Sequence, residues 1–149
     1  MCCNIAAGSQ NQCEELILHS NIPTLLLNNY NSIKQHQVIY DLVYILYCSI
    51  IIGSKEVVNK ILSTHKAFEL INFSLNLNKE IINCSLNFLL NSVNRMKNSR
   101  TQFERLIEQL KINNIEEKLE SLQHDKNEEI SAKALNILEL IWEYNDKVV

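Results

Sequence analysis

The chain has 149 residues, and its 46% hydrophobic content is enough to bury the core of one compact domain or a few stacked repeats. Two glycines and one proline are too few for the many tight turns of a sheet-rich protein, so the composition indicates an all-α fold. The formal net charge of −3 argues against nonspecific binding to nucleic acid, which needs a basic face to neutralise phosphates.

The five cysteines are odd in number, form no CxxC pair and lie within apolar helical patterns. We interpret them as reduced, buried thiols of a protein found in the cytoplasm or nucleus. The longest apolar stretch, residues 43–52, is about half of the roughly 20 residues that a membrane span requires. The N-terminus lacks the basic and apolar regions of a secretory signal. We therefore expect neither a membrane helix nor a signal peptide.

The two glycines mark an internal repeat. Gly8-Ser9 and Gly53-Ser54 stand 45 positions apart, and each pair is followed by two short apolar helix patterns and a longer one. A third copy lacks the glycine but keeps the long-helix pattern, and the three long patterns are offset by 43 and 49 residues. Periods of roughly 40 to 47 residues built only from helices are typical of armadillo and HEAT solenoids, which bind partners along a groove.

Apolar periodicity and turn residues predict three helices in each copy. The predicted helices cover residues 12–19, 22–29 and 33–51, then 54–63, 67–75 and 79–95, then 102–110, 115–122 and 128–144. Ser9 and Asn127 are suited to cap the helices that follow them, and Pro23 fits the first turn of its helix. Residues 1–7 look like the end of a helix that Gly8 stops.

These bounds divide the chain into the end of a truncated repeat (1–8), two repeats (9–53 and 54–98) and a C-terminal capping repeat (99–149). The predicted fold is therefore an all-α, right-handed α–α superhelix of about three armadillo-type repeats.

Three segments of the chain resemble the importin-alpha family. The first is Asn4-Ile5-Ala6-Ala7-Gly8 with Gln12, Ile17 and Ile22-Pro23, which resembles a helix ending in SNI(T/A)AG that leads into the next armadillo repeat. The second, residues 85–91 (SLNFLLN), resembles the penultimate long helix. The third matches the closing unit of the family through Lys118, Glu120, Leu122, Gln123, Asn127, Ile130, Lys133 and Ala134. The resemblance covers nearly the whole chain, but only the C-terminal third of an importin-alpha.

The resemblance implies a peptide-binding site on the long helices. In importin-alpha, tryptophan and asparagine four residues apart line a groove, where they hold the lysine stems and the backbone of an extended basic cargo peptide, and nearby carboxylates pair with its ammonium groups. Tyr44 and Cys48 fall on these two positions in the first full repeat, although a thiol is a weak hydrogen-bonding substitute for an amide. Asn87 and Asn91 fall on them in the next. The implied cargo-peptide-binding residues are Asn4, Asp41, Tyr44, Cys48 and Asn91.

A cluster of carboxylates surrounds the last two predicted helices and includes Glu116, Glu117, Glu120, Asp125, Glu128 and Glu129. In importin-alpha this end of the solenoid contacts the export receptor, a member of the importin-beta superfamily. The resemblance thus implies two partners, basic proteins that carry a nuclear localisation signal and the export receptor. The implied role is a non-enzymatic adaptor in nuclear import, in the cytoplasm and nucleus, without a cofactor.

Other interpretations of the sequence remain open. Tyr40, Tyr44 and Tyr47 fit a binding ladder and core packing about equally well, whereas Trp142 is expected to pack in the core. The four histidines show no metal-ligand spacing, so we expect no metal site. The alternatives to an import adaptor are a vestigial or general armadillo scaffold without cargo binding, a truncated nonfunctional copy, and a small thiol enzyme centred on Cys48.

Overall fold

The computed structural model describes residues 2–148, except for the side chain of Ile22. Ten α-helices and no strand occur in this part of the chain. The helices are α1 (Cys2–Ala6), α2 (Gln10–Glu14), α3 (Ile22–Asn29), α4 (His36–Ile52), α5 (Lys55–Leu62), α6 (His65–Ser74), α7 (Lys79–Met96), α8 (Arg100–Ile112), α9 (Ile115–Leu122) and α10 (Glu128–Val148). A π-helical turn, Glu15–His19, continues α2, and a 3-10 turn, Tyr30–Ser32, follows α3. Within residues 2–148 no helix is long and apolar enough to cross a membrane.

Polar side chains start the helices where the sequence predicted caps. Ser9 Oγ accepts a hydrogen bond from the backbone N–H of Gln12 at 3.2 Å, and Gln12 Oε1 accepts one from the Ser9 N–H at 2.9 Å. Asn127 Oδ1 accepts hydrogen bonds from the N–H groups of Glu129 and Ile130 at 3.0 and 3.2 Å. These bonds satisfy backbone donors that have no partner inside the helix, so the two predicted caps are confirmed.

The predicted start of the first long helix is wrong by three residues, because α4 begins at His36 rather than at residue 33. Tyr30 is buried, and its ring centroid lies 5.6 Å from that of Phe73 on α6. Ser32 Oγ also donates to the carbonyl of Asn29 at 2.9 Å. These contacts accompany the 3-10 turn, and the chain then runs extended through Gln35 before α4 starts.

Apart from α2, which the π turn continues, the helices form three rows, and each helix packs against the helix that has the same place in the neighbouring triplet. The first row contains α1, α4, α7 and α10; the second contains the π turn, α5 and α8; the third contains α3, α6 and α9. Such stacking of neighbouring triplets is how repeat proteins build a continuous core. The helix triplets predicted from the sequence are confirmed, whereas the residue bounds proposed for each repeat stay a prediction.

Polar contacts between triplets have a similar period. The guanidinium of Arg95, near the end of α7, donates to the carbonyls of Ile50 and Gly53 at the end of α4. Gln102 Nε2 donates to Asn59 Oδ1 at 3.0 Å, and these two residues are 43 positions apart. Arg95 thus satisfies carbonyls that the C-terminus of α4 leaves without helical partners.

The core runs through the whole stack. In α4, eight residues are buried, which confirms the prediction that this helix lies between others: Ile39, Leu42, Val43, Ile45, Leu46, Cys48, Ser49 and Ile50. Phe88 of α7 is fully buried, with its ring centroid 6.0 Å from that of Phe68. The expectation that Trp142 packs in the core is wrong, because the residue is 43% exposed. Since α10 ends its row, one of its sides faces solvent.

Candidate functional site

Three tyrosines lie along one face of α4. Tyr40, Tyr44 and Tyr47 are spaced four and three residues apart, which places them on the same side of a helix. The rings of Tyr40 and Tyr44 have centroids 6.1 Å apart and are inclined by only 10°, and those of Tyr44 and Tyr47 are 6.0 Å apart at 50°. All three residues are half-buried. They pack against the core and still present part of each ring to solvent.

The neighbouring long helix completes an open depression beside these rings. Glu80, Asn83, Cys84 and Asn87 of α7 line it together with Tyr40, Tyr44 and Tyr47 of α4, and we call these seven residues the tyrosine depression. Glu80 is exposed, and Asn83 and Asn87 are half-buried. Aromatic faces and a carboxylate can attract a cationic side chain, and side-chain amides can bond to a peptide backbone. The arrangement suits an extended basic ligand.

The structure places the predicted cargo-binding residues between different pairs of helices in the first row. Asp41 is half-buried, and its backbone oxygen accepts a hydrogen bond from the thiol of Cys3 on α1 at 3.4 Å. The Asp41 carboxylate accepts one from Gln37 Nε2 at 3.0 Å. Asn4, on α1, is exposed. Asp41 therefore lies beside the contact between α1 and α4, whereas Tyr44 lines the depression between α4 and α7.

Of the predicted residues, Cys48 is almost closed to a ligand, and Asn91 already makes one hydrogen bond within its own helix. Cys48 is only 7% exposed, so its thiol lies in the core below the tyrosines. Asn91 is half-buried, and its Nδ2 donates to the carbonyl of Asn87 within α7 at 2.8 Å. Tyr44, at the tryptophan position of the first full repeat, is thus partly accessible to a ligand. Cys48, at the asparagine position, is almost inaccessible to one.

The thiols of Cys48 and Cys84 are in environments that disfavour the thiolate. Burial raises the pKa of the Cys48 thiol and is the largest cause of that shift. Burial likewise raises the pKa of the Cys84 thiol to about 12. A nucleophilic cysteine needs the opposite shift, because the thiolate is the reactive form. The thiol-enzyme interpretation of Cys48 therefore loses its main requirement. Within residues 2–148 no group of three or more histidine, cysteine or carboxylate side chains is arranged to hold a metal ion.

The predicted acidic surface lies on α9 and the first turn of α10. Glu117, Glu120 and Glu128 are exposed, and Glu116 is half-buried. Glu129 is paired, with its Oε1 atom 2.7 Å from Lys133 Nζ, and the hydrogen bond from Lys133 lowers the pKa of the Glu129 carboxyl. The surface is therefore acidic, but one of its five predicted glutamates already has a cationic partner.

The sequence patterns did not predict Glu80, Asn83 or Lys133 as site residues. The repeat offset was a usable signal, because Asn83 stands 43 positions after Tyr40 and thus occupies the equivalent place on the next long helix. Its position alone does not tell whether such a residue faces the site or a neighbouring helix.

Comparisons with known proteins identify the fold. No protein-family model matches the chain, and the comparison with curated proteins gives no match. Among solved structures, the designed armadillo repeat protein YIII(Dq)4CqI has a TM-score of 0.70 and 25% identity, over 94% of this chain and 55% of that one. A second, "Designed armadillo repeat protein YIII(Dq.V1)4CPAF in complex with peptide (KR)4", has a TM-score of 0.74 and 22% identity over 94% and 54% of the two chains.

A third similar structure is one of the computationally designed armadillo repeat proteins for modular peptide recognition, with a TM-score of 0.71 and 21% identity. It aligns with 99% of this chain and 59% of its own, so the chain spans a little more than half the length of these structures. The chain is accordingly an all-α armadillo-repeat solenoid, and the fold prediction is confirmed.

Proposed function

We propose that this armadillo-repeat solenoid binds an extended basic peptide across its row of long helices and serves as an adaptor in nuclear protein import. The tyrosine depression is the observation that supports binding, because it combines three partly exposed rings, the carboxylate of Glu80 and two side-chain amides. The resemblance to importin-alpha supports the finer role, in which the ligands are proteins carrying a basic nuclear localisation signal.

The geometry of the rings suggests how a lysine stem would lie. Inserting a hydrocarbon stem between two aromatic faces needs a separation of roughly 7 to 8 Å, twice the usual contact distance between carbon atoms. The rings of Tyr40 and Tyr44 are 6.1 Å apart and nearly parallel. The stem would therefore pack across their exposed parts rather than between them, with its ammonium group directed towards Glu80.

The fold comparison supplies a probe for the proposed ligand. One designed protein of the same fold is in complex with the peptide (KR)4, and a related design is described as made for modular peptide recognition. At 22 and 21% identity, these structural similarities show the fold but not the binding site. The (KR)4 peptide is nevertheless a suitable probe, because every one of its side chains is positively charged.

Fluorescence anisotropy of a labelled (KR)4 peptide tests the proposal. We expect binding that weakens as salt is added, since exposed charges contribute to it. Glu80→Gln should weaken binding by roughly twofold to fivefold, the effect expected for one exposed ion pair worth up to about 1 kcal/mol. The matched control is Glu56→Gln, which removes another exposed charge from the first turn of α5, outside the long-helix row. Salt-independent binding, or equal effects of the two variants, would contradict the proposal.

The acidic surface is the proposed contact with the export receptor, and cycling with that receptor would place the protein in both cytoplasm and nucleus. The resemblance suggests this role, and the exposure of Glu117, Glu120 and Glu128 makes it sterically feasible. We expect the double variant Glu117→Lys and Glu120→Lys, on α9 and outside the long-helix row, to abolish receptor binding in a pull-down with purified receptor, without changing (KR)4 binding by more than about twofold. Retained receptor binding would leave a general scaffold as the better interpretation.

A further inference from the structure

A lysine from the last long helix reaches the edge of the tyrosine depression. Lys133 Nζ, on α10, donates a hydrogen bond to Asn83 Oδ1 of α7 at 3.1 Å and lies 2.7 Å from Glu129 Oε1. The side chain of Lys133 is only 22% exposed, whereas that of Glu129 is 61% exposed. The chain therefore supplies its own ammonium group to an amide and a carboxylate beside the proposed peptide site.

The repeat register shows what is unusual about this lysine. Asp41, Cys84 and Lys133 occupy equivalent places on α4, α7 and α10, because they follow one another by the offsets of 43 and 49 residues that relate the long helices. Both end members contact the preceding helix of the row, but Asp41 does so through its backbone oxygen with Cys3, whereas Lys133 does so through its charged side chain with Asn83. At this position the charge thus changes from negative to neutral to positive along the row.

We infer that Lys133 is a specificity-determining residue that ends the basic-peptide site at the boundary between α7 and α10. This inference rests on the proposed function. Its ammonium group takes up the carbonyl oxygen of Asn83 and neutralises Glu129, two groups that could otherwise receive a cation of the ligand. It also repels a lysine or arginine placed beside it. A basic peptide is therefore bound by α1, α4 and α7 and disfavoured at α10.

Peptide binding separates this role from a purely structural one. The variant Lys133→Met keeps the length and packing of the stem but removes the charge, and it should tighten binding of the labelled (KR)4 peptide by roughly threefold to tenfold. The matched control is Lys147→Met, because Lys147 lies on the same helix and pairs with Glu143 at 3.0 Å, away from the tyrosine depression. Its effect should stay below about twofold.

A lysine that only joins α7 to α10 would give a different result, namely lower stability with unchanged or weaker peptide binding. Tighter binding by Lys133→Met, but not by Lys147→Met, supports the inference, even where the wild-type protein binds too weakly to measure. Equal effects of the two variants, or wild-type binding that Lys133→Met leaves unchanged, overturn the inference but not the proposed function. Absence of binding by the wild type and all variants overturns both. Should Lys133→Met not fold, the same peptide titration is made with Lys133→Gln, which keeps a polar group at this position.

Discussion

Replacing Phe88 with alanine is expected to lower the free energy of unfolding by about 3 to 5 kcal/mol. Phe88 is fully buried, and its ring packs at 6.0 Å and 60° against that of Phe68. It belongs to α7, which packs between α4 and α10 in the long-helix row. The loss includes the cost of the cavity, because helices held on two sides cannot collapse to fill it. Since domains of this size are stable by about 5 to 15 kcal/mol, the variant should be close to unfolding.

Urea unfolding followed by circular dichroism measures this effect. Phe73→Ala is the matched control, because Phe73 is 37% exposed on α6, where its ring centroid lies 5.6 Å from that of Tyr30. It should cost about 1 to 2 kcal/mol, in proportion to the smaller area it removes from water. If both phenylalanines cost the same, α7 would not be the central layer of the stack.

The two repeat glycines are expected to differ sharply in what they tolerate. Neither has a positive φ, so their role is close approach rather than an unusual backbone conformation. A methyl group on Gly53 would collide with the carbonyl oxygen of Ser49 and come within 2.6 Å of Val57 Cγ1. A backbone carbonyl and a buried valine cannot move aside cheaply, so Gly53→Ala should cost about 1 to 3 kcal/mol.

Gly8→Ala provides the comparison for this experiment. Its added methyl group would collide mainly with the side-chain amide of Gln12, which is exposed and can rotate away at the loss of one bond in the capping box. The expected cost is about 1 kcal/mol or less, as for a weakened N-cap. Thermal unfolding of the two variants side by side gives the difference, and a larger effect at Gly8 would refute the packing explanation of Gly53.

The amino-acid sequence by itself determined the helices, their order and two of their caps. Ser9 and Asn127 act within three residues of their own positions, and the apolar periodicity of α4 and α7 is a local pattern. Such features depend on backbone hydrogen bonds and neighbouring side chains of one helix, so they can be recognised without knowing the rest of the fold. The offsets of 43 and 49 residues also revealed that long helices recur, and hence that they stack.

Only the tertiary structure decided which residues meet between the helices. The tyrosines of α4 fitted a core and a binding surface equally well, and only packing against α7 left them half-buried beside Glu80. The buried Tyr30 also accompanies a later start of α4 than the sequence predicted, and Trp142 is exposed. Lys133 and Asn83 are 50 positions apart, so their hydrogen bond has no local signature. Burial and charge at the site depend on the contacts between stacked helices, and a single helix pattern does not contain them.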